Sequence, residues 1–306
     1  MRKIGIIGLG HVGATVAYTL VSKGLVDELV LIDANDKKVV AEQYDLLDAI
    51  ARLDTSTTIK VQDYATLKDA DLIITAFGNI GIIQEDGDRF GELKFNAKAV
   101  EQVAPKIKSS GFDGILINIG NPCDVVTAYL QQLTELPQKH VFGTGTFLDT
   151  ARMQRAVGMK LGLDPKNIGG YVYGEHGESQ FVAWSTVTVN GRPINEMQAG
   201  YQIDFETLET DARRGGWFIF SGKGFTNYAI ATCVVKLTRA VLSNAHFAAP
   251  VSTYSPEFKT YVGQPAVVGA NGIESLVFLK LSELEHGQLK SSAGFIKQKI
   301  EGLSRN

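Results

Sequence analysis

The feature that most constrains the fold is a glycine motif close to the first residue. Gly8, Gly10 and Gly13 follow a short apolar run and precede an apolar segment with helical periodicity. Glycines at this spacing, in a turn from a strand into a helix, let the backbone approach a dinucleotide pyrophosphate while the helix N-terminus faces its negative charge. Ordinary turns between strands and helices also contain glycines, so the dinucleotide interpretation needs a second signal.

An acidic residue supplies that second signal. Asp33 stands 20 residues after Gly13, at the end of the apolar run Glu28–Asp33. A carboxylate there accepts hydrogen bonds from the adenosine ribose and repels the 2′-phosphate of NADP, so the motif favours NAD. The predicted cofactor contacts lie in the glycine turn and at the carboxyl ends of three strands: Gly8, Gly10, His11, Val12, Gly13, Asp33, Gly78 and Asn121.

Composition indicates an ordinary globular protein. Of 306 residues, 44% are hydrophobic and 21% are charged, and the net charge of −3 gives no reason to expect binding to nucleic acid or an anionic membrane. Cys123 and Cys233 form no metal-binding or redox motif, which favours a cytoplasmic protein without a bound metal. We also expect no signal peptide, because Met1–Lys3 lead directly into the first strand, and no apolar run reaches the roughly 18 residues of a membrane helix.

Residues 1–145 alternate apolar strands with helical segments. The predicted strands, several of them solid apolar runs, are Lys3–Gly8, Glu28–Asp33, Thr58–Val61, Asp71–Phe77, Gly114–Ile119 and His140–Gly143. Such strands suit a parallel sheet that is covered on both faces. Six of them with crossover helices predict an α/β fold, a doubly wound parallel Rossmann sheet that binds NAD at the carboxyl ends of its strands.

The pattern changes in residues 146–306, for which we predict an α+β substrate domain. Phe181–Val189 alternates in the manner of an antiparallel strand, and helical patterns follow at Phe205–Phe220, Thr226–Asn244 and Leu284–Leu303. Because no linker rich in proline or glycine separates the two halves, we expect them to share a broad interface.

One histidine lies where an acid–base catalyst is expected. His176 occupies the turn Gly174–Gly177, and an imidazole can give or take the proton that accompanies hydride transfer. Asp149 and Arg152, three apart on one predicted helix face, would orient the imidazole and bind a substrate carboxylate. The alternatives are that Asp149 caps its own helix in the pattern Thr146-x-x-Asp149, and that Arg152 forms a solvated ion pair.

Two further candidates follow the fourth and fifth predicted strands. Arg89 ends a glycine-rich loop whose position over the cofactor suits closure over a substrate, where the guanidinium would polarise a carbonyl. Asn121, at the end of the fifth strand, would reach the reacting oxygen and the nicotinamide. The alternatives are a surface arginine and a turn asparagine before a proline.

Taken in this order, the motifs resemble those of the L-lactate/malate dehydrogenase family. The resemblance spans nearly the whole chain and is carried by Gly8–Gly13, Asp33, Arg89, Asn121–Pro122, Leu148–Arg152, Gly174–Gly177, Lys223–Thr226 and Gly263–Ala266. It implies that His176 is the acid–base catalyst and that Asp149 orients it. It also implies that Arg152 binds the substrate carboxylate and that Arg89 polarises the carbonyl.

The same resemblance implies three contacts that set the substrate. Asn121 would position the reacting groups, and Thr226 would line the pocket beside the substrate side chain. The residue six before the loop arginine, which is glutamine in lactate and arginine in malate dehydrogenases, is Ile83 here, and a slightly longer loop leaves Ile82 and Gln84 as the alternatives. An apolar loop leaves a second carboxylate unpaired, which excludes malate, and it favours longer or branched apolar side chains.

We therefore expect an NAD-dependent L-2-hydroxy acid dehydrogenase that acts reversibly on 2-oxoisocaproate-like acids, as some members of this family do. One alternative is an L-lactate dehydrogenase with an atypical loop, and another is a non-catalytic NAD-binding sensor or structural protein. The resemblance also implies a homo-oligomer, a tetramer or else a dimer, because the segment Ala41–Ala51 resembles the pairing helix of the family.

Overall fold

A nine-stranded sheet forms the centre of the molecule. The computed structural model describes residues 1–79, 81 and 91–303. The strands are β1 (Lys3–Ile7), β2 (Glu28–Ile32), β3 (Thr58–Val61), β4 (Leu72–Thr75), β5 (Ile115–Asn118), β6 (Val141–Gly143), β7 (Ile168–Gly169), β8 (Val172–Tyr173), β9 (Phe181–Val182), β10 (Thr188–Val189), β11 (Arg192–Pro193), β12 (Phe247–Ser255), β13 (Thr260–Gly269) and β14 (Gly272–Leu276). The α-helices of the described residues are α1 (His11–Ser22), α2 (Asp36–Ile50), α3 (Gly91–Ser110), α4 (Cys123–Thr134), α5 (Phe147–Leu161), α6 (Gln198–Tyr201), α7 (Phe205–Lys223), α8 (Tyr228–Leu242) and α9 (Glu283–Leu303).

The strand order confirms the predicted doubly wound sheet. Six parallel strands stand in the order β3-β2-β1-β4-β5-β6, and the order reverses between β1 and β4. A crevice opens at such a reversal, outside the carboxyl ends of the strands, and ligands of this fold bind there. The glycine turn follows β1 directly.

Three strands from the second half extend this sheet, which the sequence analysis did not anticipate. Ser252 of β12 lies opposite Gly143 of β6, and β13 and β14 continue the sheet in antiparallel fashion. The two halves therefore share one sheet, and their division at residue 145 stays a prediction.

The predicted strand Phe181–Val189 was wrong as a single element. The run is divided into β9 and β10 by a 3₁₀ turn at Trp184–Thr186, and the two strands join different small sheets. The Trp184 ring stacks on Phe205 at 4.6 Å between centroids. Packing of this aromatic pair holds the turn against α7, so the alternation of the sequence does not continue as one strand.

Apolar side chains alternate between the two faces of the central sheet. Ile6 and Leu31 belong to the core that α1 and α8 cover, and Ile7 and Val30 belong to the core under α3 and α4. Burial of each such side chain contributes about 1.5–3 kcal/mol, so both layers of helices are held firmly. Within the described ranges, no helix is long and apolar enough to span a membrane.

Candidate active site

The glycine turn after β1 has the shape that a pyrophosphate requires. Gly8 has a φ of +99°, and a Cβ there would lie 2.6 Å from the backbone nitrogen of Phe77. A Cβ at Gly13 would lie 1.9 Å from the carbonyl oxygen of Gly8, whereas one at Gly10 would meet nothing within 4 Å. Gly10 precedes α1, and no side chain caps this helix. Open space beside uncapped amides fits a dinucleotide phosphate group.

The Asp33 carboxylate lies against the same turn. Its Oδ2 accepts a 2.6 Å hydrogen bond from the backbone N–H of Leu9, and its Oδ1 accepts one of 2.9 Å from Asn35. Each carboxylate oxygen has two lone-pair directions, so one remains on each oxygen for a ribose hydroxyl. This arrangement fits the predicted ribose contact at the end of β2.

The connection between α7 and α8 contacts the glycine turn. The His11 imidazole stacks on the Phe225 ring at 3.7 Å between centroids, with an interplanar angle of 3°. The Asn227 side chain donates a 2.8 Å hydrogen bond to the Thr15 hydroxyl of α1. Thr226, the predicted pocket residue, stands between these two contacts, so the fold brings it close to the glycine turn.

The predicted catalytic histidine and aspartate are joined by a hydrogen bond. His176 Nδ1 and Asp149 Oδ2 are 2.6 Å apart, and Arg152 Nη1 donates a 2.8 Å hydrogen bond to Asp149 Oδ1. The three side chains are only 19%, 6% and 14% exposed, respectively. Burial raises the pKa of Asp149, but His176 and Arg152 outweigh burial and lower the pKa to about 2. Asp149 is therefore ionised at neutral pH, and Nδ1 of His176 carries a hydrogen.

The structure does not support the alternative that Asp149 caps its own helix. Thr146 makes no side-chain cap for α5, because its hydroxyl donates a 2.6 Å hydrogen bond to the carbonyl oxygen of Val172. Arg152 is likewise not a solvated ion pair, since its Nε is buried and has no hydrogen-bond partner among the described residues. A buried, unsatisfied guanidinium nitrogen is a feature expected of an anion site.

Asp124, which the sequence analysis missed, holds the backbone of His176 by a hydrogen bond. The backbone N–H of His176 donates a 2.9 Å hydrogen bond to Oδ2 of Asp124, in the first turn of α4. Asp124 is 1% exposed, and burial together with the negative charge of Glu175 raises its pKa to about 6. Its position three residues after Asn121, in a helix that begins at a strand end, is the sequence signal that was available.

The remaining predicted residues follow β4 and β5. A Cβ at Gly78 would lie 2.9 Å from Glu92 Oε1, which accepts a 2.8 Å hydrogen bond from the backbone N–H of Asn79. The carbonyl oxygen of Asn121 accepts a hydrogen bond from the Asn96 side chain, and the bond from Asn121 to Pro122 is cis. Both segments are thus tied to α3. Arg89 and Ile83 lie outside the described residues.

These positions converge on one edge of the sheet. Gly8, Asp33, Gly78 and Asn121 follow the carboxyl ends of β1, β2, β4 and β5, and α5 with Asp149 follows β6. The hydrogen bond from His176 to Asp124 holds the histidine turn against the start of α4. A dinucleotide crevice with a carboxylate-paired histidine and a buried arginine beside it has the chemistry of an NAD-dependent oxidoreductase for small acids.

Comparisons with known proteins agree with this class. The family model for the NAD-binding domain of lactate/malate dehydrogenases matches residues 2–143, and that for their alpha/beta C-terminal domain matches residues 146–305. L-lactate dehydrogenase 1 of Bifidobacterium longum is 38% identical over 311 aligned positions, which cover 99% of this chain and 98% of that protein. The chain belongs to the lactate/malate dehydrogenase family.

Solved structures share the whole architecture. A lactate dehydrogenase from a Medee basin deep-sea metagenome library has a TM-score of 0.92 and 35% identity, with coverage of 99% of this chain and 100% of that one. The lactate dehydrogenase of Cryptosporidium parvum, complexed with lactic acid and nicotinamide adenine dinucleotide, has a TM-score of 0.93 and 25% identity, with coverage of 100% and 98%. The protein is an NAD-dependent 2-hydroxy acid dehydrogenase, which sets aside the non-catalytic alternative.

Proposed function

We propose that this dehydrogenase reduces 2-oxo acids with medium-sized or branched apolar side chains to L-2-hydroxy acids, similar to L-2-hydroxyisocaproate dehydrogenases. The observation that supports the substrate preference is a glycine, Gly216, beside the arginine to which we assign the substrate carboxylate. Gly215 and Gly216 stand in the interior of α7, and a Cβ at Gly216 would lie 3.1–3.4 Å from three guanidinium atoms of Arg152. The helix backbone itself borders the guanidinium at this point.

The glycine pair has a stability cost that needs a compensating reason. Each glycine in a helix interior is about 1 kcal/mol less favourable than alanine. Without a side chain at Gly216, α7 leaves room beside the Arg152 guanidinium for a bound substrate with a longer side chain, whereas a Cβ at Gly215 would meet the guanidinium of Arg155 at 2.8 Å. Each methylene buried there adds roughly 0.8 kcal/mol of transfer free energy. Ile83, from the sequence resemblance, would supply an apolar contact from the loop.

The reaction that we propose assigns one role to each polar group. Arg152 binds the substrate carboxylate through its guanidinium, and Asp149 holds that guanidinium by its Nη1. Asp149 also fixes the His176 tautomer, so Nε2 is the atom that transfers the proton to or from the substrate oxygen. When bound, NAD supplies or accepts the hydride. Arg89, Asn121 and Thr226 keep the roles that the family resemblance gives them.

The second candidate is an L-lactate dehydrogenase. It is favoured by the name of the Bifidobacterium longum relative and by the Cryptosporidium parvum structure, which contains lactic acid. The two candidates share the chemistry and differ only in the substrate side chain. A substrate panel therefore separates them.

The panel compares kcat/KM for pyruvate, 2-oxoisocaproate, phenylpyruvate and oxaloacetate with NADH. We expect 2-oxoisocaproate to give the highest value, and a highest value for pyruvate would refute the proposed preference. Gly216→Ala should lower kcat/KM for 2-oxoisocaproate by about tenfold more than for pyruvate, because the added methyl occupies the space beside Arg152. Gly222→Ala is the matched control on the same helix, since a Cβ there meets nothing within 4 Å.

The catalytic roles have a separate test. Asp149→Asn should lower kcat by about three to four orders of magnitude while NADH binding persists, because an amide no longer selects the tautomer or stabilises the imidazolium. Binding is measured by the fluorescence of NADH on titration. Near-normal turnover of this variant would overturn the assignment of the pair.

We also propose that the active form is a homo-oligomer assembled through α2. Val40, Tyr44 and Leu47 are 43%, 64% and 42% exposed and lie along one face of this helix. Tyr44→Asp should shift sedimentation equilibrium to a smaller species, whereas Tyr201→Asp, at an exposed tyrosine on α6, should not. A monomeric native protein would contradict the proposal.

A further inference from the structure

Gln62 has a backbone conformation that is costly for its residue type. It follows β3 directly and has a φ of +55°, in the left-handed region that favours glycine. Its backbone N–H donates a 2.9 Å hydrogen bond to the carbonyl oxygen of Leu31, so the position continues the pairing of β3 with β2. A glutamine in a left-handed conformation at a strand end needs a reason that lies in its side chain.

The side chain explains why a glutamine occupies this position, because both the oxygen and the nitrogen of its amide form hydrogen bonds with the turn between β2 and α2. Gln62 Oε1 accepts a 3.2 Å hydrogen bond from the backbone N–H of Asp33, and Nε2 donates one of 2.7 Å to the carbonyl oxygen of Asp33. Nε2 also donates a 2.5 Å hydrogen bond to Oδ1 of Asp36. The Gln62 side chain therefore forms hydrogen bonds with the backbone N–H and carbonyl oxygen of Asp33 and with the carboxylate of Asp36.

Asp33 and Asp36 lie at the two ends of the turn between β2 and α2, beside which we expect the adenosine ribose to bind. The Asp33 carboxylate is oriented by the N–H groups of Leu9 and Asn35, and Asp36 is the first residue of α2. Both carboxylates are acceptors that a 2′-hydroxyl can donate to and that a 2′-phosphate would meet as like charges. The exposed Lys37 on the same turn would otherwise attract a phosphate.

We propose that Gln62 is a positioning residue for cofactor selectivity, which fixes Asp33 and Asp36 so that NADH is accepted and NADPH is rejected. This inference rests on the proposed contact between Asp33 and the ribose. Gln62 acts through these two carboxylates and needs no contact with the dinucleotide.

Four variants test the inference by the ratio of kcat/KM for NADH to that for NADPH. Gln62→Gly removes the amide and suits the positive φ, so the relief of backbone strain should offset part of the stability lost with the three hydrogen bonds, and the variant should still fold. Its selectivity ratio should nevertheless fall by at least about tenfold. Its KM for the 2-oxo acid at saturating NADH should stay unchanged. Gln43→Leu is the matched control, because the Gln43 amide bonds β3 at Ile59 and not the β2–α2 turn.

Asp33→Ala, alone and combined with Gln62→Gly, separates this inference from the role of Asp33. In the Asp33→Ala background, Gln62→Gly should change the ratio less than it does in the native protein, because only Asp36 remains of the two carboxylates through which Gln62 acts. An unchanged ratio in Gln62→Gly alone would overturn the inference, as would an equal change in Gln43→Leu. An unchanged ratio in Asp33→Ala would instead overturn the proposed ribose contact, and the inference with it.

Discussion

Replacing Asp124 by asparagine should stabilise the protein at neutral pH and keep the catalytic histidine supported. Asp124 is buried, and its pKa is raised from 3.8 to about 6. A carboxyl group with a raised pKa binds more protons in the folded than in the unfolded state between these two values. The free energy of unfolding therefore falls as the pH rises through this window and is constant above it. Asparagine resembles the protonated acid and does not titrate.

The two pKa values set the size of the effect. Each pKa unit corresponds to about 1.4 kcal/mol, and the pKa of Asp124 differs between 3.8 and about 6. Ionisation of Asp124 therefore lowers the free energy of unfolding of the native protein by roughly 3 kcal/mol above pH 7. About half of this cost is already present near pH 5. The advantage of Asp124→Asn should therefore grow from about 1.5 kcal/mol near pH 5 to about 3 kcal/mol near pH 7.5. These are upper values, because the amide is a weaker acceptor for the His176 N–H than a carboxylate.

Urea unfolding followed by circular dichroism measures this difference, with both proteins at one concentration so that self-association affects them equally. Asp124→Asn keeps an acceptor for the backbone N–H of His176, so kcat should stay within a few-fold of the native value. Asp124→Leu has a similarly branched side chain but no acceptor, and it should lower kcat. An advantage of Asp124→Asn that is absent near pH 7.5, or that does not depend on pH, would refute the reasoning.

Two further predictions concern an ion pair and the glycine turn. Lys3→Met should destabilise the protein by about 3 kcal/mol, because Glu28 is buried and would lose its buried cation. Lys60→Met, which removes the half-exposed second partner of Glu28, should cost less than about 1 kcal/mol, and equal losses of melting temperature would contradict this. Gly13→Ala should lose both thermal stability and NADH binding, since its Cβ would overlap a carbonyl oxygen. Gly10→Ala has room, so it should fold normally but bind NADH at least about tenfold more weakly in a fluorescence titration; unchanged affinity would show that the phosphates lie elsewhere.

The parts of the fold that the sequence predicted are those with local signals. Apolar runs of strand length marked five of the six parallel strands to within a few residues, because a strand buried on both faces has no polar alternation to obscure it. The edge strand β3 instead alternates polar and apolar residues. The glycine motif marked the crevice, since Gly8 and Gly13 are positions where a side chain has no space. The pairing of His176 with Asp149 was predicted from motif spacing and family resemblance, and the two side chains are in contact.

The parts that the sequence did not predict depend on contacts between distant residues. No local pattern states that β12 pairs with β6, because Ser252 and Gly143 are separated by more than a hundred residues. The hydrogen bond between Asp124 and His176 joins residues that are 52 positions apart, and the hydrogen bond between Gln62 and Asp33 joins residues that are 29 positions apart. His246 pairs with Glu274 across 28 residues, and His286 pairs with Glu257 across 29 residues.

The sheet that both halves of the chain share also holds the turn that contains the proposed catalytic histidine. The turn that contains His176 is held by β13, through reciprocal hydrogen bonds of 2.9 and 3.0 Å between Gly174 and Gly263. It is also held by α9, through the Ser292 hydroxyl that accepts from the Glu175 N–H, and by α4 through Asp124. Elements from both halves of the chain thus fix the imidazole before any substrate binds. We expect a rigid acid–base group to accept any 2-oxo acid that binds at Arg152, so the proposed choice among side chains would fall to the pocket wall, where α7 has Gly216 beside Arg152.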